Sequence, residues 1–320
     1  LSGPARSVAM ATLVLALNPS IDAEWNVAEV RWEEKNVVQS ERRWAGGKGV
    51  NVARWLRSLG GRPRLLIPLG GPTGQELARQ LRSEKLAASI VRLRQATRVN
   101  VIVTPEKGRQ LRFNPAGPRL NPGEWRAVFR RTQRALASVE CLVLSGSLPR
   151  QAPPNVYARA IQLARRAQRR VLLDCDGAPL AAALSAGPFL VKPNEHELAQ
   201  WSGRPIRSAA DVLLAARQFS LASRGWVLVS RGGRGAILVH AGKAFACHAD
   251  APKIKVANTV GAGDALLAAV ARQIEKDAAP SEWLRWGVAT GTAAAQCRAG
   301  ELADVKAIRQ LARGIEVRGI

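Results

Sequence analysis

Short apolar runs alternate with amphipathic stretches along most of the chain. The apolar runs predict buried strands, at 11–17, 65–69, 141–145, 171–174, 189–192 and 226–230. The amphipathic stretches predict helices, at 49–59, 73–84, 122–138, 155–168, 208–223, 261–275 and 282–298. This alternation is typical of a mostly parallel sheet covered by helices, so the predicted fold class is α/β.

Two segments break the alternation. Residues 23–44 and 97–114 carry more polar side chains and predict extended strands outside the main sheet. By contrast, Asn121-Pro122-Gly123-Glu124 predicts a helix N-terminus, because an N-cap Asn is followed by Pro at the first helical position and by an acidic third residue.

The tract Asn258–Asp264 (Asn-Thr-Val-Gly-Ala-Gly-Asp) carries the clearest candidate chemistry, because an apolar helical run follows it at once. Small residues at Gly261, Ala262 and Gly263 let the backbone approach a ligand, and N–H groups at a helix start favour an anion. Asp264, in the first turn, could accept the proton of an attacking hydroxyl. A glycine turn feeding a helix capped by Asp is also ordinary architecture, so this tract alone leaves both interpretations open.

A second glycine-rich turn lies more than two hundred residues upstream. The tract Trp44–Arg54 (Trp-Ala-Gly-Gly-Lys-Gly-Val-Asn-Val-Ala-Arg) joins a turn to a helix start, with Lys48 inside the turn and Asn51 one turn on. The tract Asn18–Asp22 (Asn-Pro-Ser-Ile-Asp) follows the first apolar strand. Together these tracts offer hydrogen-bonding groups for sugar hydroxyls beside a glycine hinge.

With these tracts the chain resembles the ribokinase-like sugar kinases of the PfkB family. Within it, the branch of minor-type 6-phosphofructokinases, 1-phosphofructokinases and tagatose-6-phosphate kinases is the most similar. The resemblance continues through further ordered motifs, at 144–149 (Leu-Ser-Gly-Ser-Leu-Pro), 191–197 (Val-Lys-Pro-Asn-Glu-His-Glu) and 229–236 (Val-Ser-Arg-Gly-Gly-Arg-Gly-Ala).

The resemblance implies a three-layer αβα sandwich with a mostly parallel central sheet and a small β-lid. The lid would be built from 23–44 and 97–114, and it often pairs with the lid of a second subunit, which implies a homodimer. One kinase domain would span 10–320, with 1–9 as an N-terminal extension and Met10 as an alternative start.

The resemblance also implies a sugar-phosphate site. Residues matching Lys35, Asn51, Arg98, Arg112 and Ser147 contact the sugar phosphate, and the residue matching Asp22 holds sugar hydroxyls. Three of these side chains are cations, which bind phosphate well. Gly46, Gly47 and Lys48 of the glycine turn complete the expected substrate site. Minor-type 6-phosphofructokinases carry glycine where this chain has Lys48, whereas tagatose-6-phosphate kinases and 1-phosphofructokinases commonly carry lysine.

ATP and Mg²⁺ are the cofactors that the resemblance implies. The expected nucleotide contacts are Lys192, Asn194, Ser230, Gly232, Gly235 and Thr259. Asn194 and Glu197 fit the family's N-x-x-E pattern, which organises magnesium and its waters near the phosphates. The same Pro-Asn-x-x-Glu sequence is also a common helix N-cap.

The implied activity is phosphorylation of fructose 6-phosphate to fructose 1,6-bisphosphate, with Asp264 as base and Gly261, Ala262 and Gly263 around the transferring group. Phosphorylation of fructose 1-phosphate or tagatose 6-phosphate is the alternative within this class. No membrane is expected to take part, because no apolar segment of the chain reaches the roughly 18 residues that a membrane span needs. The four cysteines are far apart and lie in or beside apolar runs, which is typical of reduced thiols in the cytoplasm.

Net charge suggests an alternative from another class. The chain has 48 Lys and Arg against 24 Asp and Glu, a formal charge of +24. A solvated arginine-rich surface accounts for this excess. A kinase fold that serves mainly as an assembly protein, or that binds the phosphates of RNA or another polyanion, accounts for it equally. No RNA-binding motif accompanies the basic clusters, so the enzyme interpretation is favoured.

Overall fold

The computed structural model describes residues 11–320. The expected extension 1–9 and Met10 lie outside this range. The strands are β1 (Thr12–Leu15), β2 (Ser20–Val27), β3 (Ser40–Gly46), β4 (Pro63–Gly70), β5 (Ala87–Leu93), β6 (Arg98–Pro105), β7 (Leu111–Phe113), β8 (Cys141–Ser145), β9 (Arg170–Asp174), β10 (Leu190–Val191), β11 (Trp226–Ser230), β12 (Ala236–His240), β13 (Phe245–Ala249) and β14 (Val317–Gly319). The helices are α1 (Lys48–Ser58), α2 (Gly71–Ser83), α3 (Pro122–Leu136), α4 (Val156–Arg166), α5 (Gly177–Leu184), α6 (Glu195–Ser202), α7 (Ala209–Ser223), α8 (Ala262–Glu275), α9 (Pro280–Ala295) and α10 (Val305–Gly314).

A ten-stranded sheet forms the centre, in the order β14-β13-β12-β11-β10-β9-β8-β1-β4-β5. The pairs from β5 to β11 are parallel, and β12, β13 and β14 continue the sheet as antiparallel neighbours. The chain runs outward from β1 in both directions, so the strand order reverses there. In open α/β sheets such a reversal leaves a crevice at the carboxyl ends of the strands, where ligands bind.

Helices cover both faces of this sheet, each over its own apolar cluster. One cluster takes side chains from α1, α2, α8, α9 and α10, and the other from α3, α4, α5, α6 and α7. The result is the expected three-layer αβα sandwich. Helix α8 is buried along nearly its whole length, which fits a helix that is apolar on most sides.

A second sheet stands apart from the first, with four strands in the order β3-β2-β6-β7. We call this sheet and the connection at 28–39 the lid. Its strands arise from the two segments that break the alternation, although 28–39 and 106–110 are connections rather than strand. Asp22 pairs with Asn100 across β2 and β6, and both residues line the cleft described below.

All the strands and helices predicted from the apolar pattern are present, with ends that shift by a few residues. Asn121 and Glu124 form the predicted capping box of α3. The pattern missed short elements: β5, β12, β13, β14, α5, α6 and α10. Helices α5 and α6 have eight residues each, too few turns for a periodicity to stand out.

Within residues 11–320, no helix combines the length and the apolar character needed to cross a bilayer.

Candidate active site

A cleft of about 570 Å³ opens between the lid and the carboxyl ends of the central strands. Asn18 follows β1, Ser147 follows β8, Asp174 ends β9 and Lys192 follows β10, and all four line it. The lid contributes Asn100 from the opposite side. The cleft therefore lies at the reversal of strand order and has the size of an ordinary small-molecule site.

Asp264 lies at the floor of this cleft, in the first turn of α8, and is almost fully buried. Asn51 Nδ2 donates a hydrogen bond of 2.8 Å to its Oδ2 atom. Burial, reinforced by the negative charge of Asp174, raises the pKa of Asp264 to about 7. A carboxylate with a pKa near neutrality suits a general base, because it can take up a proton and release it again.

The turn before Asp264 has the geometry of an anion site. Gly261 caps α8 with a φ of 82°, a left-handed conformation that glycine adopts without strain. N–H groups in the first turn of a helix have no intrahelical acceptor, and Gly263 and Asp264 lie in that turn. A Cβ on Gly263 would lie 3.5 Å from Lys192 Nζ, so this backbone is next to a cation. Ala262 lies outside the cleft lining.

Two lysines converge on one buried carboxylate beside this turn. Lys48 Nζ lies 3.3 Å from Asp174 Oδ1, and Lys192 Nζ lies 3.3 Å from Asp174 Oδ2. Burial by itself would raise the pKa of Asp174, but Lys192 and Lys48 outweigh it and hold that pKa below its usual value. Asp174 in turn raises the pKa of Lys48. Lys48 is thus held charged at the cleft.

Asp22 forms a polar cluster at the lid side. Its Oδ1 atom accepts hydrogen bonds from Ser20 Oγ at 2.7 Å and from Asn100 Nδ2 at 2.8 Å. Burial raises the pKa of Asp22. A Cβ on Gly46 would lie 2.3 Å from the Asp22 carboxylate, so only glycine leaves room for this side chain. Gly46 itself lies outside the cleft lining, whereas Gly47 is part of it.

The three cations expected at the sugar phosphate differ in position. Arg98 lines the cleft, and its guanidinium donates to the carbonyl oxygens of Pro115 at 2.7 Å and Asn18 at 3.0 Å. Arg112 also lines the cleft and bonds only to the Gln110 side chain. Lys35 is exposed on the connection 28–39 and does not line the cleft.

Asn194 and Glu197 form a capping box at the start of α6. Asn194 Oδ1 accepts from the Glu197 N–H at 2.8 Å, and Glu197 Oε2 accepts from the Asn194 N–H at 2.8 Å. The N-cap interpretation of this sequence is therefore confirmed. Both residues nevertheless line the cleft, so the capping geometry leaves them facing the space beside Lys192 and Asp174.

Of the four remaining residues expected to contact the nucleotide, two line the cleft and two do not. Ser230 and Gly232 line the cleft at the end of β11, where Ser230 forms an isolated bridge with Asn194. Gly235 and Thr259 lie outside the lining. Gly235 has a φ of 80°, and a Cβ there would lie 1.9 Å from the Ala249 carbonyl oxygen, so its glycine is required by packing.

Magnesium would have few protein ligands here. Among residues 11–320, no group of three or more His, Cys, Asp and Glu side chains is arranged to hold a metal ion. Magnesium does not require such a cage, because it keeps several waters and binds through one or two carboxylates and substrate phosphates. Asp174 Oδ2 is buried with the Lys192 ammonium 3.3 Å away, and Glu197 lines the same cleft. These oxygens fit an ion of that kind.

Several lining residues did not emerge from the sequence. Asp174 is the most important, and Asn100 and Asn114 also line the cleft. Asp174 directly follows the apolar run 171–173, at the carboxyl end of a predicted strand. An acidic residue in that position was an available signal, because ligands bind at those strand ends.

A buried carboxylate at a glycine-rich helix start, beside two lysines in an α/β sandwich, has the chemistry that phosphoryl transfer needs. The chain belongs to the family described as pfkB family carbohydrate kinase, which its residues 15–305 match. It is an ATP-dependent sugar kinase.

Individual relatives are similar over nearly the whole chain. The chain is 31% identical to a 1-phosphofructokinase of Bacillus subtilis, over 95% of this chain and 98% of the relative. It is 31% identical to the Escherichia coli phosphofructokinase-2 crystallised in complex with fructose-6-phosphate, with a TM-score of 0.85 over 95% of this chain and 98% of that one. A structure of the tetrameric inhibited form of phosphofructokinase-2 from E. coli is 30% identical, with a TM-score of 0.88 over 96% and 99%.

Proposed function

We propose that this kinase phosphorylates the free primary hydroxyl of a ketohexose phosphate, and that fructose 6-phosphate is converted to fructose 1,6-bisphosphate. Asp264 carries the proposal, because a buried carboxylate with a pKa of about 7 lies in one cleft with the glycine turn and the Asp22 cluster. The similarity to a phosphofructokinase-2 crystallised with fructose-6-phosphate supports the choice of sugar.

In the proposed reaction, ionised Asp264 accepts the proton of the sugar's primary hydroxyl. The hydroxyl oxygen forms a bond to the γ-phosphorus while the bond to the bridging oxygen of ADP breaks, and ADP leaves with that electron pair. N–H groups of Gly263 and Asp264, together with Ala262 and Gly261 in the same turn, stabilise charge on the transferring group. Lys48 and Lys192 add positive charge beside it, held in place by Asp174.

We assign magnesium to the side of the cleft at α6. Asn194 and Glu197 would hold the ion through its waters, and Asp174 lies next to them as a buried acceptor. When bound, magnesium neutralises charge on the nucleotide phosphates. Ser230 and Gly232 would border the nucleotide at the end of β11.

The sugar is assigned to the lid side. Asp22 and Asn51 would hold its hydroxyls, and Arg98, Arg112 and Ser147 its phosphate. Arg112 is the freer of the two arginines, since Arg98 already bonds two backbone carbonyls.

Fructose 1-phosphate is the second candidate substrate. Lys48 favours it, because 1-phosphofructokinases commonly carry lysine at this position, and a relative of that name is 31% identical to this chain. Phosphorylation of fructose 1-phosphate at its other primary hydroxyl also produces fructose 1,6-bisphosphate, so the product alone does not distinguish the two reactions.

Comparison of kcat/KM tests both candidates. Purified protein is assayed with MgATP against fructose 6-phosphate, fructose 1-phosphate, tagatose 6-phosphate and free fructose, with ADP release as the readout. The proposal expects the highest kcat/KM for fructose 6-phosphate. A higher value for fructose 1-phosphate or tagatose 6-phosphate replaces that sugar assignment, and turnover of free fructose alone contradicts the phosphate contacts of Arg98 and Arg112.

The lid carries a further part of the proposal. Trp32, Val37, Val38 and Phe113 are exposed apolar side chains of the lid, and Trp32 is 76% exposed. We propose that they pair with the lid of a second copy to form a homodimer, and that Lys35, on the same connection, contributes to the substrate site in that assembly. The kinase domain in this proposal is residues 10–320, in the cytoplasm, where ATP and sugar phosphates are available.

Sedimentation equilibrium tests the dimer. Trp32→Glu places a charge in the proposed apolar contact and should give a monomer, whereas Leu214→Glu, at an exposed apolar residue of α7, serves as the control and should leave the dimer intact. A wild-type protein that is monomeric at micromolar concentration contradicts this assembly.

A further inference from the structure

A second basic cleft lies at the far end of α8, where the last turns of α8 and α10 meet the first turns of α9. Its volume is about 370 Å³. Five cations line it: Arg272, Lys276, Arg285, Arg309 and Arg313. The single lining carboxylate is Glu282. We call this cleft the basic pocket.

Carboxylates neutralise only two of these five cations. Arg285 Nη1 lies 3.2 Å from Glu282 Oε1, and Arg272 Nη1 lies 3.0 Å from Glu275 Oε2. Within residues 11–320, no ion pair or side-chain hydrogen bond involves the three others: Lys276, Arg309 and Arg313. All three are exposed, so the pocket gathers solvated positive charge that no carboxylate of the described chain pairs with directly.

Two buried donors in the same lining also lack an acceptor. The Nε atoms of Arg272 and Arg285 are buried and make no hydrogen bond. Most buried N–H groups in proteins have an acceptor, so these two guanidinium groups are incompletely bonded within the described chain.

Helix dipoles do not account for this arrangement. Cations in the last turns of α8 and α10 are favoured by the negative end of the helix dipole. Lys276, however, has a pKa lowered by burial and by the neighbouring charges of Arg272 and Arg309. Its surroundings are thus unfavourable to positive charge despite the helix end.

The high arginine content of the chain does not account for it either. Another basic cleft, at the amino ends of β9 and β11, is also rich in arginine. There Arg165, Arg169 and Arg170 donate to the carbonyl oxygens of Ala186, Leu136 and Ile274, respectively. Those three arginines tie structural elements together, although Arg224 and Lys243 of the same cleft form no ion pair among the described residues. In the basic pocket, Arg309 and Arg313 have no side-chain hydrogen bond or ion pair in the described chain, and Lys276 contacts only the face of the Trp286 ring, at 5.7 Å.

We propose that the basic pocket binds a small anion with several phosphate groups, at a site separate from the catalytic cleft. Phosphate oxygens would supply the missing negative charge, and Lys and Arg side chains bind them readily. The 14 residues of α8 separate the pocket from Asp264 by about 20 Å, so one small ligand cannot occupy both places.

Isothermal titration with inorganic tripolyphosphate, at roughly physiological ionic strength, tests the proposal. The pocket variant is Lys276→Ala/Arg309→Ala/Arg313→Ala. The control variant, Arg126→Ala/Arg130→Ala/Arg134→Ala, removes the same charge from exposed positions of α3. Wild type and control should bind one equivalent more than the pocket variant, while binding at the catalytic cleft is common to all three.

Equal stoichiometry in wild type and pocket variant overturns the proposal. An equal loss in the control variant also overturns it, because the effect is then one of net charge. A third outcome is that the wild type and control bind a single-stranded RNA oligonucleotide that the pocket variant does not bind, with no tripolyphosphate binding at the pocket. That result overturns the proposal of a small anion and assigns the surface to a polyanion. Folding of the pocket variant is checked by its melting temperature, which should equal or exceed that of the ligand-free wild type because like charges are removed.

Discussion

The two ends of α8 differ in whether the cations beside them are paired with carboxylates. At its first turn, Lys48 and Lys192 share the buried Asp174, and Asp264 accepts a hydrogen bond from Asn51. Just beyond its last turn, Lys276 lies near the cations Arg272 and Arg309 and, among the described residues, forms no ion pair with a carboxylate. Both ends belong to one buried helix, so packing of the helix does not explain the difference.

Under the two proposals, the difference separates a preorganised catalytic site from a site that a bound anion would satisfy. A site for phosphoryl transfer must hold its groups in place before the substrate arrives, and paired charges do so. Unpaired cations are instead stabilised when an anion binds to them. Variants of the paired groups at the first turn should therefore change turnover or stability, whereas variants at the last turn should weaken anion binding without lowering the melting temperature.

Asp264→Asn should have the largest effect. Removal of a general base typically costs 10²–10⁴-fold, so kcat should fall by about a thousandfold while the KM for ATP changes little. Stability should not fall, because the folded-state pKa of about 7 lies above the ordinary 3.8. Such a raised carboxyl pKa makes the wild type lose stability as pH rises from about 4 to 7, so the variant should melt at the same or a higher temperature at pH 8.

Asp264→Asn preserves size and can still accept the Asn51 hydrogen bond, so a loss of turnover cannot be assigned to packing. Steady-state kinetics and thermal unfolding of the same preparation provide both readings. Ordinary turnover in this variant would show that Asp264 is not the base. The first turn of α8 would then not be the catalytic end of the helix.

Asp174→Ala should have the next largest effect. It leaves Lys192, 5% exposed, without its partner, and an unpaired buried charge typically costs 3–5 kcal/mol of unfolding free energy. Because the two lysines depress the pKa of Asp174, the wild-type contribution is present above the ordinary carboxyl pKa and is lost as pH falls through the lower folded value. Urea unfolding at pH 7 and in acid measures this difference.

Asp176→Ala is the matched control for Asp174. Asp176 lines the same cleft but is exposed, and its side chain does not cap α5. Its removal should change the unfolding free energy by less than about 0.5 kcal/mol, as surface substitutions usually do. If the two variants are equally stable, Asp174 does not hold the lysines.

The sequence predicted the sandwich and most of the cleft, but it did not reveal the pairing of charges. Apolar runs and glycine turns are local patterns, which is why β1, α8 and the Gly261 turn could be predicted. The role of Asp174 depends on its ion pairs with Lys48, which is 126 residues away, and with Lys192, which lies in a different loop. No local pattern joins them.

For Lys35 and for the basic pocket, the sequence shows the basic residues but not where they lie in the fold. Lys35 was expected from resemblance at the substrate site, yet its place in the described chain is the lid surface. The basic pocket combines α8, α9 and α10, and α10 was not predicted at all. In a chain with 48 basic residues, a convergence of three of them cannot be distinguished from a solvated surface without coordinates.

Arg112→Ala should show a smaller effect that is specific for the sugar phosphate. Charge-assisted hydrogen bonds contribute about 1.5–3 kcal/mol. The KM for the sugar phosphate should therefore rise about 10- to 100-fold in the variant, while the KM for ATP stays within about twofold. Arg109→Ala, an exposed neighbour in the connection before β7, is the control and should change neither constant. Equal increases in both KM values would place Arg112 outside the sugar-phosphate site.

The pH dependence of turnover should show the smallest effect and tests the first turn of α8 without a change of sequence. With the pKa of Asp264 at about 7, the base is protonated below that pH, so kcat/KM should fall about tenfold for each unit below it. The second ionisation of the sugar phosphate, near pH 6, also reduces the rate in acid, so the residual activity of Asp264→Asn is measured in parallel. Only the limb near pH 7 should disappear in the variant, because the substrate ionisation is common to both proteins. If both proteins keep the same acid limb, the carboxylate at the first turn is not the group that titrates, and the contrast between the two ends of α8 concerns stability rather than catalysis.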